Sequence, residues 1–149
     1  MKIIYLDIDK VLNSRSSIEA FGNDDEFDAV SCGLLKKLIN NHSACVVIIS
    51  NRRIAESVEY LRSMLRQCSG KRISRAIIDK VSDANFPRGK LIMGWEESND
   101  FDGLYVIIDD KNEGYSAAQQ KFLVQPDPDH GFHIGDYERA NSLLSKEHR

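Results

Sequence analysis

Apolar residues in this chain gather into short unbroken runs, separated by longer stretches where they recur every third or fourth position. Ile3-Ile4-Tyr5-Leu6, Val46-Val47-Ile48-Ile49 and Leu104-Tyr105-Val106-Ile107-Ile108 are runs of the first kind. Strands buried on both faces of a parallel sheet read this way. The second of them is expected to begin at about Ala44. Two further strands are expected, one over Ile73–Val81 centred on Ala76, Ile77 and Ile78, and a short one over Lys121–Gln125.

Helical spacing fills the intervals. Leu34, Leu35, Leu38 and Ile39 mark one helix, whose start Gly33 weakens. Ile54, Val58, Leu61, Leu65 and Cys68 form one stripe, predicting a single helix that Ser69-Gly70 ends. Pro87 suits entry into a helix with Ile92 and Trp95 on its inner face. Pro126, Pro128 and Gly131 mark a loop, after which Asp136 is expected to cap a last helix that packs Ala140, Leu143 and Leu144 inward. Ser14–Asp28 is polar, with acids at Asp24, Asp25, Glu26 and Asp28, and reads as a solvated loop or small flap. Strands alternating with helices predict a three-layer α/β fold with a mainly parallel sheet.

The length of 149 residues suits one domain over 1–149, burying roughly two-thirds of its unfolded surface. No apolar stretch approaches the roughly 20 residues of a membrane span, and the first residues form a core strand, not a signal peptide. A cytoplasmic protein is the expectation. Cys32, Cys45 and Cys68 lack C-x-x-C spacing and are odd in number, so buried thiols are expected, without a disulfide framework or a zinc site. The net charge of −3 gives no global attraction to nucleic acid. Arg62, Arg66, Lys71, Arg72 and Arg75 form a basic stretch that could touch phosphates but reads first as a solvated face. The histidines His42, His130, His133 and His148 show no ligand spacing, and P-loop and G-x-G-x-x-G signatures are absent.

Candidate chemistry sits where the apolar runs stop. The first ends in Asp7-Ile8-Asp9, the second in Ser50-Asn51-Arg52-Arg53, the third in Asp109-Asp110, and Arg88-Gly89-Lys90 opens the helix after Pro87. Open α/β sheets place ligands at the carboxyl ends of their strands. Two acids one residue apart repel and are costly to bury, so the pair calls for a cation, a shared proton or strong donors.

This order of motifs resembles the haloacid dehalogenase (HAD) superfamily, whose commonest members are magnesium-dependent phosphatases. In particular it resembles the small HAD domain associated with Swiss-army-knife RNA repair proteins. That pattern runs from an aspartate pair followed by Gly-Val-Leu-Asn, through Ser-Ser-Trp-Arg and a basic residue with Gly, to a strand ending in Asp-Asp. Here it spans about Ile3 to Leu144. The resemblance implies a HAD-like Rossmannoid fold, and the short segments between motifs leave no room for a large cap domain.

It also implies roles. Asp7 would be the nucleophile, and Asp9 would protonate the leaving oxygen and later activate water. Magnesium (Mg2+) would be held by Asp7, the backbone carbonyl of Asp9 and Asp109, with Asp110 behind, or with that last pair reversed. Ser50 would donate to a phosphate oxygen, with the Asn51 N–H beside it. Arg88, ahead of Lys90, would neutralise the phosphoryl charge. Arg53 matches the family arginine, while Arg52 stands in place of its tryptophan. Lys10 stands where the family has glycine: it would be strained if that position needs φ > 0, and could add charge at the substrate entrance. The implied substrate is a phosphate monoester, with a nucleotide or nucleic-acid end favoured. The alternative is a HAD-like module that has lost catalysis and binds a nucleotide or protein. A phospho-receiver is disfavoured, because its acceptor aspartate lies on the third strand.

Overall fold

The computed structural model describes residues 1–23 and 26–145, so Asp24, Asp25 and His148 lie outside the described residues. Five parallel strands form one sheet: β1 (Lys2–Leu6), β2 (Cys45–Ile48), β3 (Ile77–Lys80), β4 (Leu104–Ile108) and β5 (Leu123–Val124). Their order is β3-β2-β1-β4-β5, which puts the first strand at the centre and reverses direction of winding on either side of it. The architecture is a three-layer Rossmannoid α/β fold, and no cap domain is inserted among the described residues.

Alternating side chains divide the core. Ile4, Leu6, Val46, Ile48, Val106 and Ile108 meet α2 (Ala29–His42), α3 (Val58–Leu65), α4 (Lys71–Ala76) and α7 (Ile134–Ser145). Ile3, Tyr5, Val47, Ile49 and Ile107 point to the other face, where Leu91, Ile92 and Trp95 of α5 (Arg88–Ser98) cover them. Among the described residues the remaining α-helices are α1 (Arg15–Phe21) and the four-residue α6 (Ala117–Gln120). Four helices thus cover one face, while α5 carries most of the other. Among the described residues no helix is long and apolar enough to cross a membrane.

Several expectations need correction. The segment after Ser14 is not all loop: Ser14 and Ser17 close a reciprocal capping box and Gly22 ends α1 in the left-handed region. Asp28 is not merely solvated but caps α2, accepting from the Ser31 N–H at 2.8 Å. The stripe from Ile54 to Cys68 is not one helix. A short 3-10 helix covers Asn51–Ile54, and Ser57 restarts the chain as α3 by accepting from the Tyr60 N–H. Ile54 is accordingly exposed. Residues 71–76, expected as strand from Ile73 onward, form α4, because Ser74 donates to the Arg62 carbonyl and Ile73 and Ala76 pack into the helical layer. Tertiary burial overrides the β preference of Ile73 there. Asp136 lies within the first turn of α7 and reaches back to the His133 N–H, instead of preceding the helix.

Cys32 and Cys68 form a disulfide, correcting the expectation of free thiols. They lie 36 residues apart in sequence, so no local spacing announced the pair. Packing of α2 against the turn after α3 brings their Cα atoms to 5.2 Å. Cys45 is free and half-buried.

Candidate active site

Register brings the chemistry together. Leu6 pairs with both Ile48 and Ile108, so Asp7 emerges level with Asp109, and Ser50 lies just beyond the end of β2. The Asp7 N–H donates to the Ile108 carbonyl at 2.9 Å, continuing the ladder to the first acid. Beyond it Ile8, Val11 and Leu12 are fully buried, and the N–H groups of Val11 and Leu12 both return to the Ile8 carbonyl. That turn anchors the acid pair from below. A cavity of about 300 Å³ opens here, lined by Asp7, Asp9, Lys10, Ser50, Asn51, Arg88 and Asp110, with Arg15 and Lys111 also at its wall.

Asp7, Asp109 and Asp110 each offer a carboxylate oxygen, all within 4.8 Å of one another. Burial pushes the Asp7 carboxyl well above the usual carboxylate range; Arg88 opposes this, while Asp109 and Asp110 reinforce it. Three hard oxygen donors that disfavour one another's charge fit a divalent cation of the magnesium kind. The two acids of the β4 end differ. Asp109 is almost fully buried: its Oδ2 accepts from Arg88 Nη1 at 2.7 Å and from the Tyr115 hydroxyl at 2.6 Å, and its Oδ1 from the Lys111 N–H at 3.0 Å. Asp110 instead faces the cavity and lies in hydrogen-bond reach of Asp7.

Arg88 bridges the acids, with Nη1 also 3.5 Å from Asp7 Oδ2. Its neighbour explains its placement. A Cβ on Gly89 would collide with the Gly114 carbonyl and the Gln119 amide, so only glycine lets α5 begin this close to the 114–119 segment. The Gly89 N–H and carbonyl are both bonded into that segment. Lys90, by contrast, is exposed and lines a different cavity.

Ser50 is buried, and its hydroxyl accepts from the Arg52 N–H at 3.3 Å. Arg53 does not reach the cavity. Its guanidinium donates to the carbonyls of Ile49, Ser50, Ser82 and Ala84 and to the Asn51 side chain, stitching the loop after β2 to the one after β3. Of the two adjacent arginines, Arg52 is the one that meets an acid, holding both oxygens of Asp9. Burial works to raise the Asp9 carboxyl, but its bonds to Arg52 and Asn13 prevail and hold it below the usual range. Lys10 adopts φ 66°, the left-handed geometry that glycine favours, and its N–H donates to Asn13 Oδ1 at 2.7 Å.

Sequence reasoning missed Arg15, Lys111 and Tyr115, and gave Arg52 no role beyond standing in place of the family tryptophan. Lys111 adjoins Asp109-Asp110 and could have been read from that adjacency. Arg15 carried no signal, because it arrives on α1, which Asp129 holds by a 3.1 Å ion pair. The basic stretch around Lys71–Arg75 lies before the amino end of β3, away from the cavity at the carboxyl edge. Within it, Arg62 donates to the Ile77 carbonyl and Arg72 to Asn40.

A parallel sheet of this order, with acids gathered at the carboxyl ends of its central strands, defines a Rossmannoid domain of the HAD type. The chain belongs to the family described as the HAD domain in Swiss Army Knife RNA repair proteins, whose pattern matches residues 3–136. Membership supports a phosphatase-like function. No curated protein and no solved structure gives a match.

Proposed function

We propose that the protein is a magnesium-dependent phosphatase that hydrolyses a phosphate monoester through an aspartyl phosphate on Asp7. One observation carries the reading: Asp7, Asp9, Ser50, Arg88 and Asp110 line a single cavity at the carboxyl edge of the sheet. An Asp7 oxygen attacks phosphorus, the bond to the leaving oxygen breaks, and Asp9 gives that oxygen its proton. Asp9 then takes a proton from water, which attacks the phosphorus and frees inorganic phosphate and the Asp7 carboxylate. Ser50 and the Asn51 N–H bind non-bridging oxygens, and Arg88 offsets their charge as it develops. Asp7, the Asp9 carbonyl, Asp109 and Asp110 would hold magnesium, which screens phosphate from the acids when bound. The family's RNA-repair description favours a nucleotide or nucleic-acid end as substrate.

The competing reading, a binding module without turnover, has one observation in its favour: Arg52 occupies the carboxylate that would have to act as acid. Magnesium-dependent phosphate release from aryl phosphates, nucleotides, sugar phosphates and 5′- or 3′-phosphorylated oligonucleotides tests both. Release that stops with EDTA and with Asp7→Asn supports the phosphatase. No release from any of them, by folded protein that binds magnesium, supports the module.

A further inference from the structure

A second cavity lies outside the acid site, a groove of about 650 Å³ between α5 and the β3 side of the sheet. Its origin is the uneven covering of the sheet: Val47 and Ile49 on the β2 side are fully buried under α5, whereas Asp79 of the edge strand β3 is left partly open. Leu91, Trp95, Ala84 and Phe86 supply apolar walls, with Asp79 and Asn99 among them. A shift of register between Val46 and Val47 pairs Asp79 with Val47, turning it to the same face as Trp95, whose Nε1 donates to it at 2.8 Å. Phe86 is 63% exposed, on the loop that leads directly into Arg88.

The composition of the groove selects its occupant. A sugar would leave the aromatic and leucine walls uncompensated, and an aliphatic chain would bury the Asp79 carboxylate against hydrocarbon. A flat heteroaromatic ring with N–H donors satisfies both, stacking on Phe86 and donating to Asp79. The volume is in the range of small-ligand sites and suits a nucleoside. Position supplies the remaining link: Ser82, Ala84 and Phe86 border the groove, while Arg88, two residues on, borders the acid cavity. Lys90 adds a cation on the groove side.

We infer that this groove is a nucleobase subsite, receiving a base of the same substrate whose phosphate lies at Asp7. The inference deepens the phosphatase reading and rests on it for the link to turnover, but base binding is measurable alone. Trp95 is the single tryptophan of the chain and lines the groove, so its fluorescence reports occupancy. Gly94 gives the matching variant. A Cβ there meets nothing within 4 Å, and leucine suits a helix interior better than glycine, so Gly94→Leu extends a side chain from an open position on the groove wall.

Adenosine, which carries no phosphate, is expected to change Trp95 fluorescence saturably in the wild type, with at least tenfold weaker binding in Gly94→Leu. In turnover, the ratio of kcat/KM for adenosine monophosphate to that for methyl phosphate is expected to fall at least tenfold in the variant. No saturable change with adenosine, an equal response in Gly94→Leu, or a signal that follows protein concentration instead (the groove then covered by a second copy) overturns the subsite. An unchanged ratio in an enzyme that turns over both substrates overturns its link to catalysis. A protein that binds adenosine yet releases phosphate from nothing overturns the phosphatase reading and leaves the subsite standing.

Discussion

Arg52 grips Asp9 by both carboxylate oxygens, Nη2 donating to Oδ1 at 2.7 Å and Nε to Oδ2 at 3.0 Å. A bidentate guanidinium–carboxylate pair is among the stronger charge-assisted contacts, and it favours the ionised acid. In the mechanism proposed above, Asp9 must instead carry a proton in the first half-reaction. The family tryptophan that Arg52 replaces has no such fork. Arg52→Trp is therefore expected to raise kcat on an alkyl phosphate by about tenfold, part of the roughly 10²–10⁴ that a positioned acid provides. An aryl phosphate, whose leaving group departs without a proton, should be unaffected. Equal losses on both substrates would show that Arg52 holds Asp9 in place for catalysis.

Asp7 should display a conflict between function and stability. Burial and the neighbouring Asp109 and Asp110 raise its carboxyl above the unfolded value, so the ionised form is disfavoured in the fold. That strain is smallest at acid pH and grows as pH rises through the usual carboxylate range. Asp7→Asn is expected to lose turnover by roughly a thousandfold or more while raising the metal-free Tm at neutral pH. It should also shrink the Tm gain produced by added magnesium, since a ligand stabilises only the state that binds it. Calorimetry with EDTA and with magnesium checks both; a lower metal-free Tm would mean that the Arg88 contact outweighs the repulsion.

The strands that carry this chemistry were legible because each is an apolar run ending abruptly in polar residues. That one pattern located Asp7, Ser50 and Asp109 at strand ends, and the order of motifs located Arg88. Departures arose where a side chain far away in sequence decides the outcome. Ser74 turns residues 71–76 into helix by bonding to Arg62, and no local propensity encodes that partner. Arg52 and Arg53 are adjacent and chemically alike, yet one meets the acid and the other ties loops together through backbone carbonyls. Only the turn at Ser50 distinguishes them. The left-handed φ at Lys10, by contrast, was foreseeable from the family glycine.

The Cys32–Cys68 bond closes a separation of 36 residues, linking α2 to the turn that follows α3. Both sulfurs belong to the larger core, beside Leu35, Leu61 and Leu65. A cross-link of that span restricts the unfolded chain, contributing about 2–4 kcal/mol. Alkylation in denaturant is expected to label one cysteine, Cys45, without reductant and all three with it. Reductant should lower Tm in the wild type and leave Cys32→Ala/Cys68→Ala unmoved. Three labelled thiols in unreduced protein would refute the bond.

His42 supplies the clearest pH dependence remote from the acids. At the end of α2, its Nδ1 lies 3.0 Å from Lys2 Nζ and its Nε2 2.8 Å from Asn141 Oδ1. A neutral ring protonated on Nε2 fits both partners, accepting from the ammonium and donating to the amide. Protonating Nδ1 would set two cations against each other. Burial is the larger cause and Lys2 adds to it, and together they hold the ring below its usual value although Asn141 opposes them. A folded value beneath the unfolded 6.5 means that the unfolded chain takes up the proton first. The His42 contribution is thus complete above about pH 6.5 and is lost as pH falls from there through the lower folded value. The difference in Tm between wild type and His42→Gln should narrow over that window and stay constant above it. A difference that widens on acidification would place the proton on the folded ring and exclude the neutral tautomer.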